Sequence, residues 1–199
     1  TQFLLGVQFA GAMTGWAVGD LGTILKTSDG GASWTPKTSN TFKMLWSVHF
    51  VNAMTGWAVG DSGTILKTID GGENWSVLGS GTTLRLRSVR FADTQNGWAV
   101  GASSIILKTT DDGAKWTPQT SGTSNALADV HFVDAMTGWA AGPLGKIVKT
   151  SNGGANWTAQ TSSTFQHLAG VYFADSMTGW AVGVGATIVK TADGGGTWA

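Results

Sequence analysis

The sequence predicts an all-β fold made of five tandem copies of one four-stranded unit, and two regular series of tryptophans carry that prediction. A Gly-Trp step recurs every 41 residues from Trp16, and a second tryptophan recurs every 41 residues from Trp34. Together the two series use all but one of the 11 tryptophans and leave only Trp46. Such a fixed period is typical of a repeat architecture.

Each repeat contains four short runs of strand-forming residues, separated by residues that favour turns. In the first repeat the predicted strands are Leu4–Phe9, Gly15–Gly19, Thr23–Ser28 and Ser33–Lys37. Gly, Asp, Asn, Thr and Ser fill the joints between them, as tight turns require. Because every connection is too short for a parallel crossover, each repeat is expected to be an antiparallel meander.

Repeats of about 40 residues with four strands each are typical of β-propeller blades, which pack face to face around an axis. We therefore predict a five-bladed β-propeller that occupies residues 1–199 as a single domain. Both chain ends fall inside a repeat, which suggests a processed protein or an excerpt from a longer array, and the last blade is expected to be short at its outer edge. The predicted blades are approximately 1–39, 40–80, 81–121, 122–162 and 163–199.

Composition and charge exclude several classes of partner. The chain carries 12 basic and 12 acidic residues, so its formal net charge is zero and no nucleic-acid partner is indicated. No apolar run approaches the roughly 20 residues that a membrane-spanning helix needs, so no membrane insertion is expected. The absence of cysteine removes disulfides, thiolate metal sites and a cysteine nucleophile.

The turn between the third and fourth strands repeats a motif that reads TSDGGASW at Thr27–Trp34. The motif resembles the Asp box, S/T-x-D-x-G-x-T/S-W, of bacterial neuraminidase-type (BNR) repeats. With the flanking GWAVG and ILKT, the repeat most resembles photosystem II stability and assembly factor propellers. A short carboxylate can accept backbone N–H bonds inside such a turn, so we interpret the box as structural. The structural box residues are Asp29, Asp70, Asp111, Asn152, Asp193, Trp34, Trp75, Trp116, Trp157 and Trp198.

Neither a metal site nor an active site is expected. One carboxylate per box is far below the six to eight oxygens of a calcium site, and two histidines in one column are a poor ligand set, so no metal or cofactor is predicted. Resemblance to Asp-box sialidases implies arginines from separate blades, whereas all three arginines lie in one strand. A glycosidase needs two carboxylates beside one bond, and the only glutamate, Glu73, lies in a box turn. We expect no catalytic residues.

Comparison of the five copies with one another distinguishes the positions that form the scaffold from the surface positions that vary between blades. Uniform columns such as Val7, Val48, Val89, Val130 and Val171 are expected to form the core between blades. Divergent columns on the first strand, and the divergent turns that follow strands two and four, are expected near the channel and its mouth, where binding usually resides. The candidate partner-binding residues are Phe42, Lys43, Trp46, Arg85, Arg87, Arg90, Gln8, His49, His131 and Tyr172.

Three functions remain open from these residues. The leading hypothesis is a non-enzymatic scaffold that binds a protein partner, either as an assembly factor or as part of a larger secreted or cell-surface array. The alternative is a carbohydrate-binding or glycoside-hydrolysing module in which Trp46 and Phe42 stack on sugars. A third is self-assembly, in which truncated blade edges join copies into a ten-bladed dimer or a polymer. The family resemblance also implies an extracytoplasmic location.

Overall fold

The protein folds into five antiparallel sheets, seen in a computed structural model that describes residues 2–199. Four sheets have four strands, and the fifth has three. In every sheet the strands lie side by side in chain order, so each repeat forms one meander. These findings confirm the prediction of an all-β propeller with five blades.

The strand bounds repeat from blade to blade. The first blade contains β1 (Leu4–Ala10), β2 (Thr14–Gly19), β3 (Ile24–Thr27) and β4 (Thr35–Lys37). The second contains β5 (Leu45–Phe50), β6 (Gly56–Gly60), β7 (Ile65–Thr68) and β8 (Ser76–Leu78). The third contains β9 (Leu86–Phe91), β10 (Gly97–Gly101), β11 (Ile106–Thr109) and β12 (Thr117–Gln119). The fourth contains β13 (Asp129–Phe132), β14 (Gly138–Ala141), β15 (Ile147–Thr150) and β16 (Thr158–Gln160). The fifth contains β17 (Leu168–Phe173), β18 (Gly179–Gly183) and β19 (Thr187–Thr191).

The turns between the second and third strands tighten into single-turn 3₁₀ helices in the first three blades. In each, the middle residue has a positive φ, for example Leu21 at 54°. The following glycine of the first blade, Gly22, also has a positive φ, and a Cβ there would lie 2.1 Å from the carbonyl oxygen of Thr41. That turn therefore lies against the linker that leaves the fourth strand, on one face of the blade array. The 3₁₀ helices are Asp20–Gly22, Asp61–Gly63 and Ala102–Ser104.

The opposite face carries the Asp boxes. The N–H of Gly30 in the first box donates to the carbonyl of Met13, in the turn after the first strand, at 2.9 Å. The box turn takes up the residues from Ser28 to Trp34, so β3 ends earlier and β4 begins later than the sequence predicts. We call this the box face, and the face with the 3₁₀ turns and linkers the divergent face.

A stack of aromatic rings joins each blade to the next. Trp16 of the first blade stacks on Phe50 of the second with ring centroids 3.5 Å apart, and Phe50 meets Trp75 edge-on at 5.8 Å. The indole N–H of Trp16 donates to the carbonyl of Gly71 at 3.0 Å, inside the next box. The same stack recurs at the other three junctions. The box tryptophan therefore anchors its turn to the core between two blades.

Each of the four junctions also buries one apolar cluster built from the same nine positions of the repeat. Three residues come from one blade and six from the next, as with Trp16, Val18 and Ile24 against the inner face of the second blade. The other three clusters repeat this composition at equivalent positions. The six residues that the second blade contributes are Leu45, Val48, Phe50, Ala58, Leu66 and Trp75.

Within residues 2–199, the outer faces of the first and fifth blades are not covered by another blade. Val7 is 64% exposed although Val48, its equivalent, is 7% exposed. The prediction that Val7 belongs to the core between blades is therefore wrong, because no blade within residues 2–199 packs against that face of β1. At the other end Ile188 is 69% exposed, whereas Ile147 is fully buried. The fifth blade lacks a fourth strand, and only Ala199 pairs with Lys190 of β19.

Among residues 2–199, no helix has the length and hydropathy that a membrane crossing requires.

The junction stacks predict where truncation of a tryptophan destabilises the fold. Trp98 is fully buried and stacks on Phe132, so Trp98→Ala is expected to lower the free energy of unfolding by about 3–5 kcal/mol. The matched control is Trp180→Ala, because Trp180 occupies the same position in the fifth blade without a following phenylalanine. Urea unfolding followed by circular dichroism would show a clearly smaller loss for the control. Equal losses would contradict the assigned role of the stack.

Candidate functional site

The Asp box is a closed set of hydrogen bonds within one turn. The Asp29 carboxylate accepts the Thr27 hydroxyl at 2.7 Å and the Ser33 N–H at 2.9 Å, and Gly31 N–H donates to Thr27 Oγ1. The Ser33 hydroxyl also donates to Asp29 Oδ2, and these bonds hold the pKa of Asp29 well below its usual range. Asn152 keeps the same contact through its amide oxygen, which accepts the Asn156 N–H at 2.9 Å. The box side chains therefore have their acceptors occupied within the turn.

The remaining carboxylates are also engaged. Glu73 pairs with Lys26 and Lys37, and Asp112 pairs with Lys67 of the preceding blade. Asp93, Asp134 and Asp175 each accept two backbone N–H groups of their own turn. Across residues 2–199, each of the 12 acidic side chains accepts a hydrogen bond or forms an ion pair. The part of the chain that the structure describes also holds no cluster of metal-ligating side chains.

The first strands of the blades line a central cavity of about 400 Å³. Two of the divergent side chains there bond the backbone of the following blade. Gln8 Nε2 donates to the Phe50 carbonyl at 3.0 Å, and Phe91 N–H donates to His49 Nδ1 at 3.2 Å. Burial and the nearby Arg90 lower the pKa of His49 to about 3. These two candidate binding residues therefore join neighbouring blades.

Deeper in the cavity, charged and polar side chains from the third and fourth blades meet. Asp129 accepts the Ser88 hydroxyl at 2.7 Å and the Val171 N–H at 2.9 Å, and its burial raises its pKa. Arg90 is partly buried, its Nε has no hydrogen-bond acceptor among the described residues, and burial lowers its pKa. The structure thus places Arg90 in the cavity, away from the other two arginines.

Two more candidate residues border the same cavity. Burial and the charge of Arg90 lower the pKa of His131 to about 4, so this imidazole is neutral at neutral pH. Its ring lies 4.8 Å from that of Tyr172, which is 57% exposed at the uncovered end of the array. The cavity wall is therefore polar in its middle and opens beside Tyr172.

Beside the residues that line the cavity, a β-bulge takes one side chain of the first strand out of the ladder in the second and third blades. In the second blade Leu45 pairs with Gly60 and Ser47 with Val59, so Trp46 is left outside the ladder. Arg87 is left out of the third blade's ladder in the same way. A bulge disrupts the alternation of a strand and re-aims the extra side chain. The bulge explains why one column of the first strand reaches the divergent face.

Trp46, Arg85, Arg87 and Asp61 form one cluster on the divergent face, which we call the Trp46 cluster. The guanidinium carbons of Arg85 and Arg87 lie 5.0 and 4.9 Å from the Trp46 ring centroid. Asp61 Oδ1 accepts the Trp46 indole N–H at 2.9 Å and Arg85 Nε–H at 2.7 Å. The cluster joins the second and third blades and fixes the indole in place.

The other candidates lie around the Trp46 cluster. Phe42 is 88% exposed and borders a groove with Asp20, Leu21 and Met44, at the junction of the first two blades. Lys43 is exposed beside it. Asp61 is not among the candidate residues predicted from the sequence, although its carboxylate holds Trp46 and Arg85 together. Its column reads Asp, Asp, Ala, Pro and Val in the five copies, and that divergence was the available signal.

The neutral state of His49 predicts how stability depends on pH. An unfolded histidine has a pKa near 6.5, whereas that of His49 is about 3, so below about pH 6.5 the unfolded chain binds a proton that the folded chain does not. Stability is therefore expected to fall between about pH 7.5 and 5. His49→Gln introduces the residue type that the first blade has at the equivalent position, Gln8. This variant is expected to retain its stability at neutral pH and to show a smaller decrease in stability as the pH is lowered. Urea midpoints at both pH values would test it, and an unchanged pH dependence would contradict the prediction.

Comparisons with known proteins bear on the fold and the family. Two stretches, residues 38–122 and 114–199, match the family model described as photosynthesis system II assembly factor YCF48. No curated protein sequence matches the chain.

Solved structures share the architecture. One described as YCF48 bound to D1 peptide aligns with a TM-score of 0.78 and 22% identity over 100% of this chain and 68% of its own. YCF48 from Cyanidioschyzon merolae gives 0.55 and 20% over 100% and 84%. A GH74 enzyme from Niastella koreensis gives 0.68 and 17%, over 98% of this chain and 31% of the enzyme. At these identities the likeness shows the fold.

The family match covers more than half of the chain and includes four of its five blades. It confirms the resemblance drawn from the Asp boxes and the flanking GWAVG and ILKT segments, and it confirms the prediction of an assembly factor-like propeller. This chain belongs to the photosystem II assembly factor YCF48 family of BNR-repeat propellers.

Proposed function

We propose that the protein is a non-enzymatic scaffold that binds an extended peptide segment of a partner protein on the divergent face, at the Trp46 cluster. The observation that carries this proposal is the packing of two arginines against a bulged, fixed indole on the divergent face. Tryptophan and arginine are the residues most enriched in binding hot spots. The relative solved with a D1 peptide supports a peptide as the class of partner.

The charges of the Trp46 cluster indicate which kind of peptide segment it can bind. Asp61 already holds Arg85, whereas Arg87 has no carboxylate within ion-pair distance among residues 2–199. A guanidinium binds a carboxylate through two parallel hydrogen bonds, so the partner is expected to place an acidic side chain or a C-terminal carboxylate at Arg87. Phe42 and Leu21, both strongly exposed, offer an apolar contact farther along the same face.

The state of the carboxylates supports a role other than catalysis. A glycosidase requires one free carboxylate and one proton donor beside the same bond. Here the box aspartates hold their turns, Glu73 and Asp112 pair with lysines, and Asp129 is buried against Ser88 and Val171. The guanidinium groups of Arg85 and Arg87 also lie against the ring that a sugar would need for stacking. Peptide binding therefore ranks above binding or hydrolysis of a glycan.

An extracytoplasmic location is part of this proposal. It is supported by the resemblance to Asp-box propellers, which are mostly secreted, periplasmic or lumenal. Fractionation of cells that express the full natural protein would test it, and recovery in the cytoplasm would contradict it.

Truncation at the cluster is expected to weaken peptide binding. With a labelled D1 peptide as the probe, Trp46→Ala and Arg87→Ala are each expected to raise Kd about tenfold or more, equivalent to about 1.4 kcal/mol. Fluorescence anisotropy would measure the change, and a scrambled peptide of the same composition would report on specificity.

Lys115→Ala is the matched control, because Lys115 is an exposed cation on the box face. It is expected to leave Kd unchanged. An equal loss in the control would mean that binding follows overall charge, and would overturn the assignment of the site. Binding to a glycan array without binding to the peptide would favour the carbohydrate alternative instead.

A further inference from the structure

On the divergent face, one apolar pair of residues occurs twice at equivalent positions of the repeat. In the first and fourth blades the middle residue of the turn after the second strand is a leucine, and the linker into the next blade carries a phenylalanine. In the second and third blades both positions are small and polar. The apolar pairs are Leu21 with Phe42 and Leu144 with Phe165, and the polar pairs are Ser62 with Thr83 and Ser103 with Ser124. The leucine and the phenylalanine therefore vary together.

Backbone contacts hold the two members of a pair on the same part of the face. The Gly145 N–H donates to the carbonyl of Gln166 at 2.7 Å, which fixes the turn of the fourth blade against the linker into the fifth. Leu144 is nevertheless 66% exposed and Phe165 89% exposed. The fourth blade has a neighbour on both sides, and so has the second blade, into which the equally exposed Phe42 leads. The exposure of these side chains is therefore a property of internal junctions.

Both leucines adopt a backbone conformation that disfavours them. The φ angle is 54° at Leu21 and 57° at Leu144, in the left-handed region where a bulky side chain is uncommon. Ser62 and Ser103 have nearly the same φ, so a small polar residue is enough to form this turn. An exposed leucine contributes little to the core, and strained, exposed apolar positions of this kind cluster at sites of interaction.

The second apolar pair borders a groove that also contains a cation. The groove has a volume of about 290 Å³ and is lined by Leu144, Phe165, Lys146 and Gln160, among others, and we call it the Leu144 groove. No carboxylate among residues 2–199 lies within ion-pair distance of Lys146. Because charges across an interface are usually complementary, the groove fits an apolar side chain that lies next to a carboxylate.

We propose that the peptide segment bound at the Trp46 cluster extends across the divergent face into the Leu144 groove, where it places an apolar side chain beside an acidic one. This inference rests on the proposed function and adds a second contact to it. Between the two apolar pairs the equivalent positions are small and polar, so an extended chain can follow the face from the cluster to the groove. The segment then carries one acidic residue for Arg87 and a second, with an apolar neighbour, for Lys146.

The test uses the labelled D1 peptide and the double variant Leu144→Ser/Phe165→Ser. This variant introduces the residue types that the third blade has at these positions, Ser103 and Ser124. Fluorescence anisotropy is expected to show a Kd that is about fivefold higher or more. Both side chains are exposed, so the urea midpoint of unfolding is expected to stay unchanged, and this measurement separates a binding role from a structural one.

Ile69→Ser is the matched control. Ile69 is 70% exposed in a box turn on the opposite face, and Ser28 is its equivalent in the first blade. The control is expected to leave Kd unchanged. An equal loss in the control would show that the peptide responds to exposed apolar area in general, and would overturn the assignment of the Leu144 groove.

The remaining outcomes separate this inference from the proposed function. An unchanged Kd in the double variant, with weaker binding by Trp46→Ala, would overturn the second contact and leave the proposed function standing. If neither change weakens binding, both proposals fail. If vesicles of phosphatidylglycerol and phosphatidylcholine sediment with the unmodified chain but not with the double variant, and Kd is unchanged, the groove contacts a lipid surface and the inference is overturned.

Discussion

The packing of one tryptophan between two blades is the interaction on which the rest of the structure depends. At each internal junction the Gly-Trp tryptophan stacks on a phenylalanine of the next blade, and that phenylalanine meets the box tryptophan. Gly56, which precedes Trp57, is part of the same arrangement, because a Cβ there would lie 2.6 Å from the ring of Phe50. A four-stranded sheet alone buries too little apolar area, so the blades gain stability from their neighbours. The 41-residue period follows from repeating this contact.

A scaffold of this kind tolerates change wherever a side chain does not enter a junction. Position 46 illustrates this, because the bulge removes Trp46 from the ladder without breaking the pairs on either side of it. The column that contains Trp46 and Arg87 can therefore vary between blades at little cost to the fold. The equivalent positions of the first strand that include Gln8 and His49 are more constrained, since both of these side chains bond the backbone of the next blade. Divergence between copies thus has two causes, free surface in one column and alternative hydrogen-bonding side chains in the other.

The same distinction explains what the sequence could predict. Strand order, blade number and the antiparallel pairing follow from a period and from short turns, and these were predictable from residues such as Trp16 and Trp34. The candidate site was only partly predictable. Arg87 and Arg90 lie on one strand, but Arg87 is left outside the ladder by a bulge and packs on Trp46, whereas Arg90 lines the cavity. The partnership of Asp61 with Trp46 depends on the equivalent bulge of the second blade, between Leu45 and Ser47, and cannot be deduced from spacing.

Val7 was the one residue predicted to lie in the core between blades that is exposed. Its exposure distinguishes the properties that are set within one repeat from those that depend on the neighbouring blade. The residue has the identity, strand position and register of its four equivalents, and Val7 pairs with Ala17 as Val48 pairs with Ala58. What differs is the neighbour, since Val48 packs against the first blade, whereas no blade among residues 2–199 covers Val7. A repeat sequence encodes both faces of every blade but does not encode how many blades meet.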